Sequence, residues 1–231
     1  PNLSAHNAAA RGDQFATTLD WAVRSVLLIA VPAALALLLL AEPILITLFQ
    51  YGALTPKDVD MAALSLRAYS LGLAAFMLIK VLAPGFYARK DMMTPVSIGI
   101  KAMVANMVLN LMFVLPLMYY YNVGHVGLAL ATSVAAYLNA GLLFRGLRRE
   151  GVYRFQPGWG IYSARLLAAT AGMVLAILWL VPDNSVWLAW DWQRRAIQIL
   201  AVCGAGVVAY IGIHLLLGTR LSHLRGPRHR D

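Results

Sequence analysis

Val26-Leu-Leu-Ile-Ala-Val-Pro-Ala-Ala-Leu-Ala-Leu-Leu-Leu-Leu-Ala41 is an uncharged stretch inside a longer apolar run over 22–49. A helix needs about 20 mostly apolar residues to cross a hydrocarbon core. Inside lipid every backbone N–H and C=O must pair within the segment, and an unbroken run lacks the ten-residue alternation of a barrel strand. The stretch therefore reads as a membrane-crossing helix. Five more runs of the same kind follow, at roughly 62–87, 96–118, 125–145, 162–182 and 195–217. The sequence predicts an all-α integral membrane protein with six transmembrane helices.

Composition agrees. Of 231 residues, 61% are hydrophobic and 13% charged, and the mean hydropathy is +0.69; soluble domains are about half apolar and a quarter charged. A water-soluble fold is excluded. The net charge of +9 raises the question of nucleic acid. However, the basic residues lie in short clusters between apolar runs, as in loops held at an anionic cytoplasmic membrane face, so no nucleic acid is expected. The single cysteine, Cys203, forms no intramolecular disulfide and reads as a small membrane-buried hydrophobe. The chain opens on Pro1 and shows no signal-peptide pattern, and a missing N-terminal portion is expected.

Connections carry turn chemistry: Tyr51-Gly52 then Thr55-Pro56-Lys57-Asp58, where Thr55 or Asp58 could cap the next helix; Asp91 to Pro95; and Asn122-Val123-Gly124. The longest, Arg145 to Gly160, predicts a division into a four-helix unit, 1–150, and a final helix pair with a basic tail, 151–231. Positive charge then assigns sides. Fourteen Lys and Arg fall on the odd-numbered faces and four (Lys57, Arg67, Arg194, Arg195) on the other, which puts both chain ends in the cytoplasm. Trp187, Trp190, Trp192 and Tyr119-Tyr120-Tyr121 then fall at the outer boundary, where amphipathic rings prefer the headgroup level.

Lys80 is the nineteenth cation and lies within the second run. A central membrane Lys costs about 2.5–3.5 kcal/mol on insertion scales. It reads either as a cationic contact for a phosphate-bearing substrate or as a side chain snorkelling toward the Arg89 boundary. Arg24, Arg67 and Lys101 sit near helix ends, where interfacial anchoring accounts for them. Asn106, Asn110 and Asn139 could line a polar path or bond between helices. Pro32, Pro43, Pro84 and Pro116 mark kinks or ends. Ala201, Ala205 and Ala209, beside Gly204 and Gly206, form a ridge for packing on the 162–182 helix. His125 and His214 are isolated and read as structural. There is no nucleophile–base set, no metal-ligand spacing and no phosphate-cradling glycine loop, so neither a catalytic nor a metal site is expected and the chain does not read as an enzyme.

Several segments resemble the MurJ (MviN) lipid II flippase family, within the multidrug/oligosaccharidyl-lipid/polysaccharide exporters. The most specific is Ala83-Pro-Gly-Phe-Tyr-Ala-Arg-Lys-Asp-Met-Met-Thr-Pro-Val96, similar to the family's AP-x-FYA-x-x-D-x-x-TP. Leu48-Phe-Gln-Tyr-Gly52, Ala68-Tyr-Ser-Leu-Gly72, Gly124-His-Val-Gly-Leu-Ala-Leu-Ala-Thr132 and Pro1-Asn-Leu-Ser4 stand beside it. The resemblance runs from Pro1 to about Pro157 and more loosely to the tail.

It implies that the six helices are the last six of fourteen in a two-lobe transporter of the bacterial inner membrane: four complete the second lobe, and two appended helices form a groove for the isoprenoid tail. The implied function is flipping of lipid II, an undecaprenyl-pyrophosphate-linked disaccharide peptide, from the cytoplasmic to the periplasmic leaflet by alternating access. No cofactor is implied, and transport would draw on the membrane potential or an ion gradient. Lys80 is the main expected cavity cation, with Arg24, Asn106 and Asn110 as further cavity candidates; Arg89, Lys90 and Asp91 are assigned to a cytoplasmic gating loop. The implied partners are lipid II, membrane lipids and cell-wall synthases. Alternatives are an exporter of another lipid-linked glycan, a drug/ion antiporter, and a non-transporting scaffold for cell-wall synthesis.

Overall fold

The apolar runs all form helices, whose ends are set by caps and by packing. The computed structural model describes the backbone of residues 2–51 and 55–218, with side chains from Gly12 onward. It contains α1 (Asn2–Phe49), α2 (Pro56–Tyr87), α3 (Met93–Tyr121), α4 (Gly124–Arg149), α5 (Trp159–Leu180), α6 (Asn184–Ala189) and α7 (Trp192–Leu216), with no strand among the described residues. All but α6 are long and apolar enough to cross a membrane.

α1 begins some twenty residues before its apolar run. Residues 12–21 are too polar to register as a span, yet Ala16, Leu19 and Val23 lie on one buried face. Leu19 and Val23 join Leu82, Phe86, Leu143 and Leu147 in a core at the basic end of the molecule. α2 begins six residues earlier than its run because Thr55 and Asp58 form a reciprocal capping box: Thr55 Oγ1 accepts from Asp58 N at 3.3 Å, and Asp58 Oδ2 accepts from Thr55 N at 3.0 Å. Arg67 is thereby carried three turns into α2 instead of one, and it pairs with Glu42 of α1 at 3.0 Å. α3 ends on Asn122 at φ 56°, a left-handed position that Asn tolerates, with Val123 N bonded to Leu117 O at 3.0 Å.

The helices pack in the order α3, α4, α2, α1, and then the pair α5 and α7. Small residues bring the axes together, as expected where lipid removes the hydrophobic drive between helices. A Cβ on Gly127 would lie 2.8 Å from Val114 N of α3, so only glycine fits that crossing. Ala75, Ala136 and Ala140 line the α2–α4 contact, where Ser133 Oγ donates to Ala68 O at 2.7 Å. α3 is the least covered span, with 11% of its most apolar window buried against 44% in α4.

The end opposite the basic one departs from the sequence reading. Residues 184–189 form the short helix α6, and Trp187 does not sit at the headgroup level: it is fully buried against Ile46 and Val59. Trp192 and the Tyr119–Tyr121 run do remain exposed. In α7, Ala205, Ala209 and Gly206 lie on the covered side, where Gly206 meets Ile177 and Met173 of α5. Ala201 and Gly204 fall on the open side, so the packing ridge is narrower than the four-residue spacing suggests. Cys203 also faces away from the other helices.

Candidate functional site

At the basic end, α1 carries Asp20 and Arg24 one turn apart, with Nε 2.8 Å from Oδ2. Asp20 is 2% exposed. Its other oxygen accepts from the Tyr153 hydroxyl at 2.7 Å and from Trp159 Nε1 at 2.8 Å. Arg24 donates to Gln156 O and Pro157 O, and its guanidinium lies over the Trp159 ring at 5.0 Å. Tyr162 of α5 donates back to Arg24 O at 2.7 Å. The 150–158 connection is therefore folded against α1 as a fixed strap. Burial, reinforced by the bond to Asp20, pushes the Tyr153 hydroxyl far above its usual range, which keeps it a donor.

Arg24 also borders a cavity of about 440 Å³ between α1, α5 and α7, walled by Leu28 and Ile161 and edged by Arg165 and His214. Its guanidinium is already committed within the chain. Arg89, Lys90 and Asp91 stay together in the α2–α3 turn, where Lys90 takes φ 63°. Arg89 pairs with Glu150 across a second cavity of about 560 Å³, which Asp13 and Arg154 also line. Asp91 Oδ1 accepts from Thr94 N at 3.0 Å and starts α3. Bonds from Thr94 hold the Asp91 carboxyl below its ordinary value.

Asn106 and Asn110 share one face of α3, a turn apart. Each has a buried Oδ1 without a hydrogen-bond partner among the described residues. Lys80 lies apart from all of these: it is exposed, lines neither cavity and has no ion pair among the described residues. Tyr69 and Tyr87, eleven residues before it and seven after, fall on the same face of α2. They are 44% and 43% exposed. Lys80 and the two tyrosines thus form one exposed stripe along α2.

Two residues went unremarked in the sequence, Asp20 and Glu42, and Arg165 was counted only as a cation of the basic face. Glu42 accepts from Arg67 and from Asn184, tying α1, α2 and α6 together at the outer end. Arg195, which the sequence reading counts only as an outer-face cation, is buried. It donates to the carbonyls of Ile46, Trp187 and Leu188 at 3.2, 2.9 and 3.1 Å, clamping the C-terminal ends of α1 and α6. His125 is structural, 3.0 Å from Met61 O.

The family model described as "Lipid II flippase MurJ" matches residues 1–192. The chain is 48% identical over 225 residues to the "Probable lipid II flippase MurJ" of Vibrio cholerae, covering 97% of this chain and 42% of that protein. It is 36% identical over 232 residues to the "Lipid II flippase MurJ" of Burkholderia cenocepacia, covering 97% and 43%. A solved structure described as "Lipid II flippase MurJ, inward closed conformation" superposes with a TM-score of 0.70 at 24% identity, over 87% of this chain and 39% of that one. The chain thus spans about two-fifths of the length of these relatives.

Proposed function

Since the chain belongs to the lipid II flippase MurJ family, we propose that it forms the last six of fourteen helices of a transporter that moves lipid II from the cytoplasmic to the periplasmic leaflet by alternating access. Residues 1–150 complete the second lobe and 151–231 add the tail-binding helix pair. The protein resides in the bacterial inner membrane with both ends of this segment cytoplasmic, and moves substrate without covalent chemistry. It draws on the membrane potential or an ion gradient, and docks with cell-wall synthases.

The observation that carries the reading is the Tyr69–Lys80–Tyr87 stripe on α2. A cation held two turns inside the end of a membrane-crossing helix with no partner among the described residues is unfavourable against hydrocarbon, and favourable against a water-filled cavity that receives a pyrophosphate. Asn106 and Asn110 add buried acceptors on α3. The Arg89–Glu150 pair joins the α2–α3 turn to the end of α4, where it would gate the cytoplasmic mouth.

Expression of the full-length protein in flippase-depleted cells tests the function, with restored growth expected. Failure despite correct membrane insertion overturns it in favour of a different lipid-linked glycan, a drug or a scaffold role. Lys80→Ala lowers lipid II flipping about tenfold or more, the scale of one charge-assisted phosphate contact, while Lys80→Arg retains most of it. Wild-type flipping in both variants removes Lys80 from the cavity.

A further inference from the structure

A second group of cations lies outside the proposed transport path. α3 presents Thr94, Ser97 and Lys101 at i, i+3 and i+7, and the antiparallel α4 presents Arg145 and Arg149 at i and i+4, so each set lies on one helix face. The two faces border a groove of about 310 Å³ whose floor includes Ile98 and whose lining contains no carboxylate.

Several of the other cations are committed. Arg24, Arg67, Arg89 and Arg154 have carboxylate partners, and Arg195 holds backbone carbonyls. Lys101, Arg145 and Arg149 have no ion pair or hydrogen bond among the described residues. The negative C-terminal end of α4 accounts for Arg149 in its last turn, but gives no reason for Lys101 in the N-terminal half of α3. Three like charges around one groove repel unless an anion joins them.

Beyond the groove, α3 turns a wholly apolar surface outward through Ile100, Val104, Met107 and Leu111, all more than half exposed. A polar, cationic pocket that opens onto an apolar helix surface matches an amphiphile with an anionic head. We propose that this groove holds the phosphate of an anionic membrane phospholipid: Lys101, Arg145 and Arg149 neutralise the charge, the Thr94 and Ser97 hydroxyls donate to its oxygens, and the acyl chains run along α3. Basic pockets between helices at the cytoplasmic side are a general solution for such headgroups. The site requires that the chain span a bilayer, but not that the protein flip lipid II.

The test is native mass spectrometry of the full-length protein titrated with phosphatidylglycerol and, separately, phosphatidylcholine. Wild type retains phosphatidylglycerol preferentially, and millimolar inorganic phosphate does not displace it. Combined Lys101→Gln, Arg145→Gln and Arg149→Gln weakens phosphatidylglycerol binding roughly a hundredfold, and a single Arg145→Gln about fivefold. The charge-keeping set Lys101→Arg, Arg145→Lys and Arg149→Lys retains it, and Arg154→Gln, outside the groove, leaves it unchanged. Three results each overturn the proposal: equal binding of the two lipids, an equal loss in Arg154→Gln, and displacement by phosphate, which would mark a free-anion site. If the triple variant does not fold, the single variant decides. Because binding is read directly, failure here with flipping intact leaves the transport function standing, and the converse also holds.

Discussion

Asp20 accepts from Tyr153 and Trp159 and pairs with Arg24. Asp20→Ala therefore removes the carboxylate of a largely buried guanidinium and leaves two donors unmet at once. Removing one partner of a buried pair costs about 3–5 kcal/mol. The comparison is Arg154→Ala, whose partner Asp13 and own side chain are 73% and 68% exposed at 3.4 Å; its effect stays below about 1 kcal/mol. Thermal unfolding of the detergent-solubilised protein, followed by tryptophan fluorescence, separates the two, and equal shifts would refute the ranking. The sequence places Arg24 near a helix end, whereas α1 starts at Asn2 and carries it well inside the helix, and the reason it is held there was not legible. Its carbonyl partners in the 150–158 connection and its ring partner at the start of α5 lie more than 130 residues away, and local spacing carries no information about which segment folds back onto which helix.

At the level of the helix, the apolar runs were legible because twenty-residue hydrophobicity is set by lipid, whereas the ends are set by caps and tertiary burial. Thr55 and Asp58 could be read as a cap; the extension of α1 through residues 12–21 could not, since it depends on Leu82 and Leu147 covering Leu19. Close crossings obey the same logic. Gly127→Ala drives a methyl into the α3 backbone and destabilises by about 1–3 kcal/mol. Gly141→Ala has open space on the same helix and stabilises by about 0.5–1 kcal/mol. Melting curves of the two variants should move in opposite directions. The start of α3 adds a pH dependence. Because Thr94 lowers the folded Asp91 pKa, its stabilisation is complete above the ordinary carboxylate range and is lost as pH falls through the lowered value. Amide-exchange protection in the first turn of α3 should fall with acid, and Asp91→Ala should abolish that dependence.

For the molecule as a whole, the candidate cavity was only partly legible, because Lys80 is exposed on α2 and none of the described residues pairs with it. Orientation is different, since charge distribution alone makes a prediction about it. Fourteen cations on one set of faces against four on the other is a bias that insertion machinery reads directly. Two of the four are further withdrawn from the surface count, Arg67 into its pair with Glu42 and Arg195 into the carbonyl clamp. The charge bias therefore predicts that the positive end is the cytoplasmic one. Cysteine labelling in intact cells checks this: with Cys203→Ala as background, Lys57→Cys and Asn122→Cys should react with a membrane-impermeant maleimide, and Lys90→Cys and Arg149→Cys only after the membrane is opened. The α1–α2 and α3–α4 turns lie at one end and the α2–α3 turn and the end of α4 at the other, so the four sites respond as two pairs. Reversal of both pairs would turn the whole bundle over and place the Lys101–Arg149 groove in the outer leaflet. A split within either pair would mean that one of the six helices does not cross.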